Sequence, residues 1–191
     1  MKKKFASFIS FIGHPLLTLS VFAIIAFFTY EEFHRALVHS SLIVAGIFLP
    51  LTLKMYLNSK KGKYTNFDVS DKTQRQSWYV FAIFVLLTVT IILFATGQPR
   101  TISLSVLFSL ILMSISQVTN YFVKSSLHVS FTIFLAFLIL PMNLMLGLLF
   151  FCFAILIAWA RFSLDRHTVK EILTGAIIGL TVGTCSLFCI R

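Results

Sequence analysis

Residues 143–190 read NLMLGLLFFCFAILIAWARFSLDRHTVKEILTGAIIGLTVGTCSLFCI. Asn143 to Trp159 carries no charge, and Val169 to Ile190 carries only Lys170 and Glu171, both at its start. Each run approaches the roughly 20 apolar residues that a helix needs to cross a bilayer. Between them, ARFSLDRHTVKE (residues 160–171) gathers two arginines, a lysine, a histidine and two acids. Two spanning helices joined by a polar connection account for both features, and the rest of the chain repeats the pattern.

The 191 residues are 58% hydrophobic and 12% charged, with a mean hydropathy of +0.95 and 22 phenylalanines. A soluble domain of that size needs far more polar surface, so the composition predicts an all-α, polytopic membrane helix bundle. Six to seven transmembrane helices fit in the length, as a single integral-membrane domain over residues 1–191. The expected spans are about Pro15–Tyr30, Leu37–Tyr56 with a kink at Pro50, Trp78–Thr96, Ile102–Phe122, Val129–Leu140, Asn143–Trp159 and Val169–Ile190. Pro15 suits a first helical position, where its missing N–H costs nothing. The N-terminal stretch MKKKFASFISFIGHPLLTLSVFAIIAFF has an apolar run too long for a signal peptide and reads as a retained first span. Cys152, Cys185 and Cys189 are odd in number, contain no CxxC and sit in apolar runs, so they imply neither a disulfide framework nor a zinc site.

Counting spans places the polar segments that carry Arg75, His128 and His167 on one side of the membrane, because they follow the second, fourth and sixth spans. That side also holds 13 of the 16 Lys and Arg residues; Arg35, Arg100 and Arg191 fall on the other. The positive-inside rule then puts the shared side in the cytoplasm. The net charge of +10 suits contact with anionic lipid headgroups, and so little surface outside the bilayer argues against nucleic-acid binding.

In the first polar segment, His167 and Glu171 are four residues apart and share a helix face if the helix begins early enough. A carboxylate there fixes the imidazole tautomer and leaves its free nitrogen as a nucleophile. Arg161 offers a planar fork for phosphate oxygens. The same residues also read as a capping box, Thr168 with Glu171, flanked by interfacial anchors. In VKSSLH, Lys124, Ser126 and His128 precede the fifth span; a helix N-terminus there favours an anion, and His128 can donate a proton to a leaving oxygen. Their plainer reading is a snorkelling lysine and an interfacial histidine. Arg75 directly precedes the third span. His14, His34 and His39 lack partners at ligand spacing and read as interfacial. Gly175, Gly179 and Gly183 recur every four residues and read as a helix-packing stripe.

Taken together, the segments resemble the type 2 phosphatidic acid phosphatase superfamily, whose motifs run K-x6-R-P, then P-S-G-H, then S-R-x5-H-x3-D. The third motif matches as Ala160, Arg161, five residues, His167, three residues and Glu171, followed by ILTGAIIG. The second matches as Ser125, Ser126, Leu127 and His128, and the first, weakest, as Asp68, six residues, Arg75 and Gln76. The resemblance covers about residues 60–185 and looks like a divergent bacterial branch. It departs at Asp68, where the family has Lys, with Lys124 or Lys72 as possible replacements. It departs again at Leu127 for Gly, Ala160 for Ser and Glu171 for Asp.

The resemblance implies a two-step hydrolysis without metal or other cofactor. His167 would attack phosphorus, Glu171 would orient it, and His128 would protonate the leaving oxygen. Arg75, Lys124, Ser126 and Arg161 would hold the phosphate oxygens. The implied partner is a lipid phosphate in the bilayer, phosphatidate-like or polyprenyl, and the implied location is a bacterial inner membrane; oligomeric state is left open. Two other readings remain at this point: a family-like protein that binds or transports lipid without hydrolysis, and a small transporter. The transporter needs polar residues along the spans, and only Gln117, Thr119, Asn120 and scattered Ser and Thr supply them.

Overall fold

The computed structural model describes residues 1–65, 68–69 and 71–190, and all regular structure among them is helical. Local chemistry sets where the helices begin. His14 accepts the Leu16 N–H at the start of α2 (Pro15–Tyr30), with Pro15 at its first position. Asp71 accepts from Thr73 and Gln74 at the start of α5 (Lys72–Ala95). Asn143 does the same for α8 (Leu144–Ser163) through Leu146. Each cap satisfies backbone donors that have no partner inside the helix. The remaining helices are α1 (Lys2–Ile12), α3 (Phe33–Ile43), α4 (Leu49–Lys60), α6 (Arg100–Phe122), α7 (Leu127–Ile139) and α9 (Val169–Ile190).

Five helical stretches are long and apolar enough to cross a membrane: residues 33–60, α5, α6, α8 and α9. A sixth arises if α1 and α2, bent by 45° at Gly13–His14, count as one broken span. The fold class is therefore the all-α polytopic bundle the composition predicts, with one difference in the count. The expected fifth span is α7, which has 13 residues and is about 20 Å long, too short for a ~30 Å hydrocarbon core. Its position explains its length. Twelve of its 13 residues are buried, so it is walled by protein and faces almost no lipid. A helix apolar on every face belongs in such a place.

The second span runs unbroken from Phe33 to Lys60 because a π-turn, Val44–Phe48, precedes Pro50. The wider turn relieves the clash that the proline ring would make in a regular α-helix, so the expected kink appears as a local widening. On the outside of the bundle, Leu144, Met145 and Ile155 of α8 and Ile177 and Phe188 of α9 are exposed, as lipid-facing residues are. Helix α1 buries Ala6, Ile9 and Ser10 and exposes Phe5, Phe8 and Phe11 behind three lysines.

The glycine stripe of α9 is what brings α7 close. A Cβ on Gly175 would lie 2.6 Å from the Ser126 carbonyl oxygen, and one on Gly179 would lie 2.5 Å from that of Ser130. Small residues thus let two backbones touch, in the manner of close helix pairs in membranes. The contact also fixes the first turn of α7 against the first turn of α9, where the Ser126 N–H donates to the Glu171 carbonyl at 3.1 Å.

Candidate active site

The connection between α8 and α9 folds back on itself: the N–H groups of Arg166 and His167 both donate to the Arg161 carbonyl. Helix α9 then starts with a reciprocal cap, in which Thr168 N–H donates to Glu171 Oε2 (3.1 Å) and Glu171 N–H donates to Thr168 Oγ1 (3.3 Å). The same Oε2 lies 2.9 Å from His167 Nδ1. The two readings of this segment therefore coexist: Glu171 caps the helix and holds the imidazole. An imidazole that donates Nδ1–H to a carboxylate keeps its lone pair on Nε2. Burial, followed by the charges of Arg161, Arg75 and Lys124, pushes the His167 pKa down to about 2. Burial and the neighbouring cations thus favour the neutral ring.

His167 lines a cavity with His14, Asp68, Arg75, Trp78, Lys124, His128 and Arg161. The segments after α4, α6 and α8 thus meet at one place, at the end of the bundle that their loops share. Arg75 is 5% exposed and Arg161 2% exposed. Arg75 Nη2 donates to the Tyr79 hydroxyl (2.9 Å) and the Ser125 carbonyl (3.0 Å), which aims the guanidinium. Arg161 Nη1 donates to Ser10 Oγ (2.9 Å) and to Asp68. Lys124 Nζ donates to the Arg166 carbonyl at 2.9 Å. Burial lowers the Lys124 pKa; Glu171 opposes this, while Arg75, Arg161 and Arg166 add to it.

Arg75 Nη1, Arg161 Nε and His128 Nε2 are buried with no hydrogen-bond partner among the described residues. Buried donors left unpaired cost about 1–3 kcal/mol each, more when charged, and such groups mark places where something else binds. Two of these three belong to guanidinium groups, so the cavity presents unpaired cationic donors.

Asp68 occupies part of that space. Its carboxylate is paired with Arg161 and lies 3.6 Å from His14 Nε2 and 3.8 Å from His128 Nε2. Burial would raise its pKa, but Arg161, then His14 and Arg166, outweigh burial and hold it below the usual carboxylate value. The rings of His14 and His128 meet edge to face at 5.1 Å. The donor atoms of His14, Asp68 and His128 all lie within 4.8 Å of one another, a spacing a metal ion could use. Two features weigh against a dication there. Arg161 already neutralises Asp68, and His14 Nδ1 accepts the Leu16 N–H, which puts the ring proton on the nitrogen that would have to ligate.

Several expectations change. Lys72 does not reach the cavity; its Nζ donates to the Tyr121 carbonyl at 3.0 Å, which ties α5 to α6. Asp68 does reach it, as a counter-ion to Arg161 rather than as a stand-in for a lysine. Ser126 is fully buried behind the cavity wall, its hydroxyl without a partner among the described residues. Asp165 pairs with Lys3 at 3.6 Å. His39 is held by Glu31 at 2.7 Å, at the opposite end of the bundle from the cavity. Arg191, counted above on that opposite side, lies outside the described residues.

His14 and Ser10 are the residues that sequence reasoning missed. On the α1 side the cavity adjoins a wider vestibule, about 420 Å3, lined in part by Ser7, Ser10, His14, Thr52 and Asp68.

Fold and site together define a polytopic helical membrane protein with a buried, cation-rich cavity at one end of its bundle. No protein-family model matches the chain, and no curated protein or solved structure matches it to a significant degree.

Proposed function

We propose that the chain is a membrane-embedded, metal-independent phosphatase that cleaves a phosphomonoester or pyrophosphate of an amphiphilic lipid. The observation that carries this reading is the neutral His167, oriented by Glu171 and aimed into a cavity with unpaired donors on Arg75 and Arg161. In the first step His128, which takes up a proton as the phosphate dianion binds beside it, gives that proton to the leaving oxygen while His167 Nε2 attacks phosphorus and the bond to that oxygen breaks. In the second, water attacks the phosphohistidine, His128 takes up the proton, and phosphate leaves. Arg75, Lys124 and Arg161 stabilise the charge that spreads over the equatorial oxygens in both transition states. An incoming phosphate exchanges with Asp68 on Arg161. The motif resemblance, with its Ala160–Glu171 spacing, points the same way.

The Asp68–Arg161 pair also favours a second reading, a lipid-phosphate-binding protein of the same descent that does not turn over. Purified protein offered phosphatidate, phosphatidylglycerol phosphate and undecaprenyl pyrophosphate in EDTA separates the two. Phosphate release that disappears in His167→Ala is expected; equal release by both proteins removes His167 as nucleophile, and release by neither leaves the binding reading. The Lys and Arg asymmetry supports a cavity that faces the cytoplasm, and the resemblance to a bacterial branch supports an inner-membrane location. Labelling of Lys61→Cys by an impermeant reagent from outside intact cells would overturn that orientation.

A further inference from the structure

Beneath the polar cavity lies an apolar one, and the two share Pro15, Leu16 and Trp78 as a common wall. The second cavity is enclosed by α2, the π-turn and its flanks, α5, α6 and α7, and it ends near Phe27 and Ile102. Its polar side chains are Trp78, at the junction, and Ser105 and Ser109, whose hydroxyls both donate to carbonyls one turn back on α6 (2.7 and 2.9 Å). Apart from the Trp78 N–H, its walls offer no free donor to water. Its volume of about 50 Å3 has room for several waters, of which one at the junction would find a donor. Left empty, such a slot forfeits dispersion contacts along its whole lining.

We infer that this slot binds one hydrocarbon chain of the lipid phosphate whose headgroup sits in the polar cavity. The inference rests on the proposed function for the headgroup and adds where the tail lies: inside the bundle, not in the surrounding bilayer. Three observations carry it. The slot adjoins the cation-rich cavity, with Pro15, Leu16 and Trp78 lining both. Trp78, at the junction, is 6% exposed and its indole N–H has no acceptor among the described residues. An ester carbonyl or bridging oxygen, found where head meets tail, is such an acceptor. The length also fits. From Pro15 to Phe27 along α2 is about 18 Å at the helical rise, close to the ~15 Å of one leaflet. An ordinary acyl chain fills that depth; a polyprenyl chain of eleven units overruns it. The π-turn belongs to the same device, since Ile47 and Phe48 of that turn line the slot.

The test uses the full chain in phosphatidylcholine nanodiscs with phosphatidate carrying a diazirine at the end of one acyl chain. Irradiation followed by peptide mass spectrometry is expected to give adducts at the deep end of the slot, on Ala26, Ile102 or Val106. Unlabelled phosphatidate should suppress them at least tenfold, while excess phosphatidylcholine should not. Ser109→Phe, which fills the slot midway, should abolish them. Adducts confined to outward residues such as Phe84, Phe94 or Leu144, or equal suppression by phosphatidylcholine, would overturn the inference without use of any variant. Suppression by undecaprenyl phosphate as strong as by phosphatidate would overturn the length argument. Adduct position needs no turnover. Slot labelling without phosphate release would remove the phosphatase reading and keep the tail site, and release with outward labelling would do the reverse.

Discussion

A single carboxylate oxygen, Glu171 Oε2, faces both His167 Nδ1 at 2.9 Å and the Thr168 N–H at 3.1 Å, and Glu171→Gln separates its two roles. Glutamine serves as well as glutamate at the third position of a capping box, and the return bond from the residue-171 N–H to Thr168 Oγ1 is backbone. The start of α9 should survive, with a stability change below about 0.5 kcal/mol and a melting shift of about 1–2 °C for a chain this long. The imidazole fares worse. A hydrogen bond to a charged group contributes about 1.5–3 kcal/mol against about 0.5–1.5 for a neutral one; the midpoints differ by about 1.3 kcal/mol, roughly tenfold in rate, lost as the ring becomes cationic on attack. If the amide turns its NH2 toward Nδ1, the ring proton moves to Nε2 and the lone pair is gone; the comparable change in a serine-protease triad costs about 10^4. The expected loss in kcat lies between these bounds. Single-turnover phosphate release, measured beside thermal unfolding in the same detergent, reads both quantities. Glu171→Ala should lose activity and about 1 kcal/mol of stability as well, because it removes the cap. Activity of Glu171→Gln within twofold of the native protein would refute the orienting role. A melting shift as large as that of Glu171→Ala would leave Glu171 as a cap alone.

Two further outcomes are expected. Asp68→Asn removes the charge that competes for Arg161, so inorganic phosphate or vanadate should bind about tenfold more tightly by calorimetry, the difference between a charged and a neutral partner; unchanged or weaker binding would show that anions do not displace Asp68. Gly179→Ala places a methyl 2.5 Å from the Ser130 carbonyl and should cost about 1–3 kcal/mol in unfolding, whereas Gly46→Ala meets only Val89 at 3.9 Å and should be near neutral. Equal stabilities for the two would contradict the close α7–α9 contact.

The polar islands were readable because they are local. Arg161, His167 and Glu171 lie within eleven positions, and a four-residue offset at a helix start leaves few other geometries. The parity of apolar runs then brings residues 68–75, 124–128 and 161–171 to one end of the bundle without any knowledge of packing. His14 has no such signal. Its partners are 54 and 114 positions away, and its place depends on the bend between α1 and α2. One local cue was present: a polar residue between Gly13 and Pro15 marks a helix break inside an apolar run, where it must find a polar neighbour or stay wet. Gly13 is confined there by Ile157, so the bend and the site share one constraint. Asp68 carries the opposite lesson. A motif position predicts where a side chain goes more surely than which charge its surroundings will accept, and Arg161, 93 positions on, accepts a carboxylate.

What no reading of apolar runs can supply is the distinction between lipid and core. Lipid tails are as apolar as leucine, so a residue that faces the bilayer and one that faces another helix obey the same hydropathy. That is why α7 passes for a span although it is walled by protein. It is also why the slot beside it leaves no trace: Phe22, Ile47 and Val106 would be apolar whether they packed together, met lipid or enclosed a guest. Only the exceptions to apolarity discriminate. Trp78 is such an exception, a buried N–H among hydrocarbon, and it stands where the polar and apolar cavities join. A polar group at that junction suits a guest that is polar at one end and apolar at the other, as the lipid phosphate proposed above is.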